Sequence, residues 1–472
     1  MILEALRREA AAAVRSPLRI AALAAFLGAS ALAILAGSSF QTEWEASLES
    51  AAAQQAEAAA EVRGWFEAGS PGPTDRPWVD VGQARWMDSY AGTRVLREPA
   101  ALAGIATGSV DDSPRVVPVT RTADPFGDEG AKIENPELGS TEAIDLIFVL
   151  AVLVPLLVGA LGVGCGAMER ETGIDRLIAV QRGRASSWFL AQAVAIFAVV
   201  AVAVVAVVAA AVVSAGAFGT DGLLLLVLAL LYTALWSGLL TATAVAARSV
   251  REAALSYGGA WVLLVVLTPA LQSELALAHG ASEPHHLQGA LETRSARYDT
   301  FETDVTELLD ALYLARPELL EQPAAKAEQP SSAVRRHTYD WTRVQGTLDK
   351  HRRALEDERA AAREALGSMA FSPASTLTLA TERLAGRDLA AAMEFRSVVV
   401  TAVEARMDWV LDAAWADEPL TVEDFDAVVA ATPTSLQPRS GGIGLHLVVL
   451  LAWTALAWTV GVVRVRAREP RD

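Results

Sequence analysis

Six stretches of this sequence are long and apolar enough to cross a bilayer, and they constrain the fold more than any other feature. They lie at 18–38, 143–165, 188–216, 222–247, 254–272 and 443–463. Ala, Val and Leu fill them, and the only charges, Arg19 and Asp145, sit at their ends. About 20 apolar residues in a helix cross the hydrocarbon core. A helix on the core of a soluble protein is shorter and keeps a polar face. A mean hydropathy of +0.32 over 472 residues points the same way. The sequence therefore reads as an α-helical integral membrane protein. It has six transmembrane helices and two extracytoplasmic domains, the second mainly helical.

The net charge of −17 is unevenly placed. Residues 38–142 carry 8 basic against 18 acidic side chains, and residues 273–442 carry 17 against 28. The shorter segments carry the arginines: Arg7, Arg8 and Arg15 ahead of the first stretch, Arg170, Arg176, Arg182 and Arg184 between the second and third, Arg248 and Arg251 after the fourth, and Arg464, Arg466, Arg468 and Arg471 at the end. Cytoplasmic loops hold the Lys/Arg excess. That rule gives 1–17 as a cytoplasmic interfacial helix and 18–38 as transmembrane helix 1. It gives 39–142 as extracytoplasmic domain 1 and 143–272 as helices 2–5, with a cytoplasmic loop at 167–187. Residues 273–442 are then extracytoplasmic domain 2, 443–463 helix 6 and 464–472 a cytoplasmic tail. The turn at 219–222 falls outside. An acidic surface excludes nucleic acid as a partner, because phosphate binding needs a basic patch. The lipid bilayer is the partner the composition demands.

Within the first outer segment, 43–66 is Ala- and Glu-rich and reads as helix. The Pro-, Gly- and Asp-rich part up to 135 reads as loops with short strands such as Arg115–Val119. In the second, Tyr298, Phe301, Val305, Leu308, Leu309 and Leu312 recur at helical spacing, as do Trp341, Val344, Leu348 and Leu355. These two helices make an antiparallel pair around a proline-containing loop, 316–330. A third helical stretch runs from Ser372 to Trp415.

Motifs for chemistry are sparse. A phosphate-cradling loop needs Gly-x-x-x-x-Gly-Lys-Ser/Thr, yet the three lysines, Lys132, Lys326 and Lys350, never follow a glycine. The lone Cys165 permits no intrachain disulfide and has no partner base beside it. His285 and His286, with His279, lack the spacing of metal ligands on one helix face. Asp145 reads as a solvated aspartate at the membrane rim. Pro155 and Pro269 interrupt spans two and five, where neighbours must satisfy the freed carbonyls. The chain is expected to be no enzyme and to carry no cofactor or metal.

The densest motif is the loop from Glu169 to Arg184. Its Glu169, Arg170, Glu171, Gly173, Arg176 and Arg182 surround an apolar side made by Leu177, Ile178 and Val180. The residues alone leave two readings open: a short helix lying flat and touching a partner, or an ordinary positive-inside loop. In the first reading the charges contact the partner's rim, and Leu177 and Ile178 fill its groove.

Glu169-Arg170-Glu171-Thr172-Gly173, followed by Leu177 and a basic residue before the next span, resembles the loop of ABC type-2 permeases. The Ile133–Gly139 segment, Ile144–Phe148 with Pro155, Phe371-Ser372-Pro373 and Leu384–Asp388 with Phe395 resemble a branch of that family with large extracytoplasmic loops. Ile174-Asp175 stands where that loop often has Thr-Leu or Thr-Ile. The resemblance implies a permease subunit of an ABC exporter in the cell membrane of a bacterium. Its expected partners are a cytoplasmic ABC ATPase subunit, engaged by the loop, and a second permease copy or a related permease. The competing class is a membrane-anchored scaffold or sensor whose outer domains bind a partner.

Overall fold

The computed structural model describes residues 2–69, 72–108, 114–121, 144–182, 185–244, 247–278, 304–369, 372–432, 435–437 and 442–467. Six helices among them are long and apolar enough to span a membrane: Pro17–Glu67, Leu146–Glu171, Ala185–Ser214, Thr220–Ala244, Val250–Gln272 and Gly444–Ala467, here the first to sixth spans. In chain order the other helices are α1 (Ile2–Ala13), α2 (Ala84–Tyr90), α3 (Ala167–Glu171, the last turn of the second span), α4 (Ile174–Arg182), α5 (Val305–Ala315), α6 (Ser332–Met369), α7 (Pro373–Leu384), α8 (Leu389–Ala416) and α9 (Val422–Ala431). Three short strands are β1 (Arg94–Arg97), β2 (Val116–Pro118) and β3 (Ser435–Leu436).

The fourth span lies at the centre of the bundle and packs on the second, third, fifth and sixth. Tyr232 and Trp236 on it are wholly buried. Both expected proline interruptions are present, and each follows a π-helical turn, Val149–Leu153 and Val262–Leu267. A π-turn widens the ladder and leaves carbonyls free to turn aside. Pro155 has no N–H for the carbonyl of Ala151, and the Tyr232 hydroxyl donates to it at 2.9 Å. The Tyr257 hydroxyl donates to the Pro155 carbonyl at 2.7 Å. In hydrocarbon such groups have no water to turn to, so these two tyrosines fix the kink. Gly159 gives Tyr257 its room, since a Cβ there would stand 2.6 Å from the ring.

Two boundaries shift, and one residue changes its setting. The third span ends at Ser214, and the turn before the fourth is 215–219, with Gly216 at φ 63°, rather than 219–222. The first span continues as one helix of 51 residues to Glu67. At 1.5 Å per residue that is about 77 Å, more than twice the hydrocarbon thickness. The apolar composition stops near Phe40. The helix does not, because Ala, Glu and Gln carry it onward and nothing breaks it before Gly69, at φ 64°. Asp145 is not solvated. It is 6% exposed and caps the second span, accepting from the N–H of Phe148 at 2.8 Å and of Gly108 at 3.2 Å.

The two segments read from sequence as separate domains meet in one body. β1 pairs antiparallel with β2 from its own segment and parallel with β3 from the other, in the order β2-β1-β3. Beneath this sheet Val95, Val117 and Val119 share a core with Leu309, Leu312, Val344, Leu348, Phe395, Val403 and Trp415. α5 and α6 form the expected pair. The loop between them is wound into short 3₁₀ turns, Pro317–Glu321 and Pro323–Lys326. The third helical stretch is two helices, broken where Gly386 takes φ 64° and Asp388 caps α8 through the N–H of Ala391. Tyr298, Phe301, His279, His285 and His286, Ile133–Gly139 and Phe371 lie outside the described residues.

A buried charge cluster ties the same segments together. Asp88 on α2 accepts from Arg121 at 2.9 Å and lies 3.9 Å from Arg406 of α8. Arg121 also pairs with Asp340 of α6 at 3.1 Å. His337, one turn before Asp340, is buried beside this cluster. Burial, with Arg121 adding repulsion, pushes its pKa down to about 4. The unfolded chain takes up that proton near 6.5, so stability is lost as pH falls from about 6.5 to 4, by roughly 1.4 kcal/mol per unit. The protein should therefore melt at steadily lower temperature as pH is lowered through this window. His337→Gln should show a shallower fall. Parallel pH profiles for the two proteins would show that His337 is not buried neutral in the body.

Candidate functional site

On the face of the bundle opposite the body, the motif Glu169-Arg170-Glu171 reaches three different elements. The chain leaves the transmembrane part of the second span at Gly166, whose φ of 75° favours a residue without Cβ. α3 then starts with a capping arrangement, in which the Glu169 carboxylate turns back to accept the Gly166 N–H at 2.8 Å. Its other oxygen accepts from Gln192 of the third span at 2.9 Å and from Arg8 of α1 at 3.2 Å. Glu169 is only 6% exposed, so this carboxylate is spent on the protein's own frame.

The next two residues continue the brace. Arg170 donates to the carbonyl of Ala247, just beyond the fourth span, at 2.7 Å, and its guanidinium lies 5.4 Å from the centre of the Phe189 ring. Glu171 accepts the N–H of Val250, the first residue of the fifth span, at 3.1 Å. α1 is held twice more: Arg19 pairs with the buried Glu9 at 2.8 Å, and Arg8 lies 5.7 Å from the Trp188 ring. The second to fifth spans and α1 are thus joined at one point.

Gly173, at φ 73° with open space around it, turns the chain from α3 into α4. Of the two readings left open, the segment is helical, and the two sides of this helix are unlike. Ile178 packs inward with Ala5, Leu6, Trp188 and Phe189. Ile174, Leu177 and Val180 face outward, 48%, 56% and 84% exposed. Positions three apart lie on one side of a helix, so these make one apolar stripe. Arg176 is exposed beside it, and Arg182 stands in the last turn of α4.

Two assignments read from the sequence are corrected. Glu169 is buried and Arg170 half-buried, each on a partner within the bundle, so of the first three charges only Glu171, which holds the Val250 N–H from an exposed position, faces outward. Ile178 is an internal anchor, leaving Ile174 and Val180 with Leu177 as the outward residues. Sequence reasoning also passed over Gln192, Arg8 and Glu9. The spacing Gly166-x-x-Glu169 and the single glutamine inside an apolar span were the available signals.

No metal-binding group of His, Cys, Asp or Glu occurs among the described residues. Cys165 is a half-buried free thiol near the end of the second span. No protein-family model, curated protein or solved structure matches the chain.

Cutting the brace should cost far more stability than cutting the stripe. Glu169→Ala leaves Arg8, Gln192 and the Gly166 N–H without their acceptor and should destabilise the folded protein by roughly 3–5 kcal/mol. Leu177→Ala, on an exposed side, should cost less than about 0.5 kcal/mol. Thermal unfolding in detergent separates them. Equal melting temperatures for the two variants would mean that Glu169 holds nothing together.

Proposed function

We propose that this chain is the membrane-spanning permease subunit of an ABC exporter. It would couple ATP hydrolysis by a separate ATPase subunit to movement of a substrate across the membrane of a bacterial cell. The observation that carries this reading is the pairing of an exposed apolar stripe with a rigid mount. Ile174, Leu177 and Val180 stand on a nine-residue helix whose base is braced to four spans and to α1. Buried apolar anchors supply most of the affinity of a protein interface. An anchor protein has no use for a protruding helix joined so firmly to its bundle. A force-transmitting contact has, because displacement of α4 is passed to the second, third, fourth and fifth spans together.

In this reading the arginine-rich segments, both termini and α4 face the cytoplasm, and the acidic body lies outside. The ATPase pair would receive α4 from two permease chains, either two copies of this one or this one with a related permease. The fifth span, only 6% buried within the single chain, leaves ample surface for lipid or for that second chain. ATP-driven closure of the ATPases would move one bundle against the other and alternate access to the substrate.

The test is directed at the stripe. Leu177→Glu with Ile174→Glu should leave melting temperature and membrane insertion unchanged. It should lower co-purification with an ATPase encoded beside this chain by about 30-fold or more, as loss of a central apolar anchor does. Stimulation of ATP hydrolysis should be lost in parallel. Unchanged co-purification and turnover would overturn the permease reading and favour a membrane-anchored scaffold.

A further inference from the structure

On the body side of the bundle a cleft of about 390 Å³ opens between the first and third spans. Its two levels differ in chemistry. Ile34 and Val213 wall the lower level, while Gln41, Thr42 and Glu45 form the rim above. The rim residues follow Ile34 along one side of the long first helix, at the spacing that stacks side chains. The back is closed by Gly37 and Gly104, so near each other that a Cβ on Gly37 would stand 2.0 Å from the Gly104 oxygen. Its mouth opens beside exposed apolar residues, Val213 at the end of the third span and Phe218 in the turn after it.

Apolar below and polar above is the profile of an amphiphile seated at the edge of a bilayer. The volume is that of a small-molecule site. It holds a head and the upper part of a chain, and the rest of the chain can run along the outside of the bundle. The head's charge is set by Glu45, the only charged residue lining the cleft among the described residues. The Gln41 side chain donates to the Glu45 carboxylate at 3.1 Å and steadies it at the rim. No described lysine or arginine lines the cleft to receive an anionic head.

We infer that this cleft binds one membrane lipid with an amine-bearing head, its acyl chain against Ile34 and Val213 and its ammonium at Glu45. The inference rests on the spans alone and not on the transport reading, so the two can fail separately. The test uses the full chain purified from vesicles of phosphatidylethanolamine and phosphatidylglycerol in equal parts, with retained lipid read by native mass spectrometry. The parent should keep one phosphatidylethanolamine, favoured about five-fold over phosphatidylglycerol, the size an exposed ion pair supports. Glu45→Lys should remove that preference. Ser214→Trp, which places an indole in the cleft from an exposed position, should abolish retention of either lipid. Both substitutions are at exposed positions, so an unchanged elution profile verifies the fold. Equal retention of the two lipids by the parent would overturn the assignment. So would a preference surviving in Glu45→Lys, or retention by Ser214→Trp at the parent's level.

Discussion

The arrangement of this protein depends on one buried carboxylate. Glu169 accepts from the backbone of Gly166, from Gln192 inside the third span and from Arg8 of α1. A carboxylate removed from water is tolerated only when its oxygens are matched by donors, and a partly matched one is costly. Here three donors converge, so the second span, the third span and α1 have one mutual geometry. Arg170 and Glu171 extend the constraint to the exit of the fourth span and the entry of the fifth. What emerges is a bundle whose loops on this face are coupled rather than independent, with α4 mounted on the joint.

The opposite face is organised by a different device. The two long segments interleave through a three-stranded sheet, a shared apolar core and the Asp88–Arg121–Arg406 cluster. The first span enters this body without a break, and the Trp44 indole on it donates to the carbonyl of Arg97 on β1 at 2.9 Å. The body is therefore attached to the membrane bundle by a continuous helix as well as by loops. Movement of the first span and of the body cannot be separated without bending that helix, which contains no proline past Pro17 at its first turn.

Much of this was legible in the sequence because the bilayer imposes a simple rule on composition. Six apolar runs gave six spans, and Pro155 and Pro269 marked the interruptions. Glycines at 173 and 386 mark turns that composition alone did not distinguish from helix. The joining of the two long segments was hidden, since β3 is two residues long and carries no alternation to read. The inward turn of Glu169 and Arg170 was hidden for another reason. Charge density suggests solvent, and only the donors brought close by folding reverse that expectation. Asp145 was misjudged in the same way, because its partner Gly108 comes from a distant loop.

A permease role requires that α4 and the body lie on opposite sides of the membrane, with α4 inside. One measurement decides this: reaction of single cysteines with a membrane-impermeant thiol reagent in intact cells, in a Cys165→Ala background. Val180→Cys samples the outward stripe of α4, and Gly346→Cys samples an exposed, unobstructed position on α6. The account expects Gly346→Cys to react in intact cells and Val180→Cys to react only after the membrane is opened. Reaction of Val180→Cys in intact cells, with Gly346→Cys protected, would contradict it.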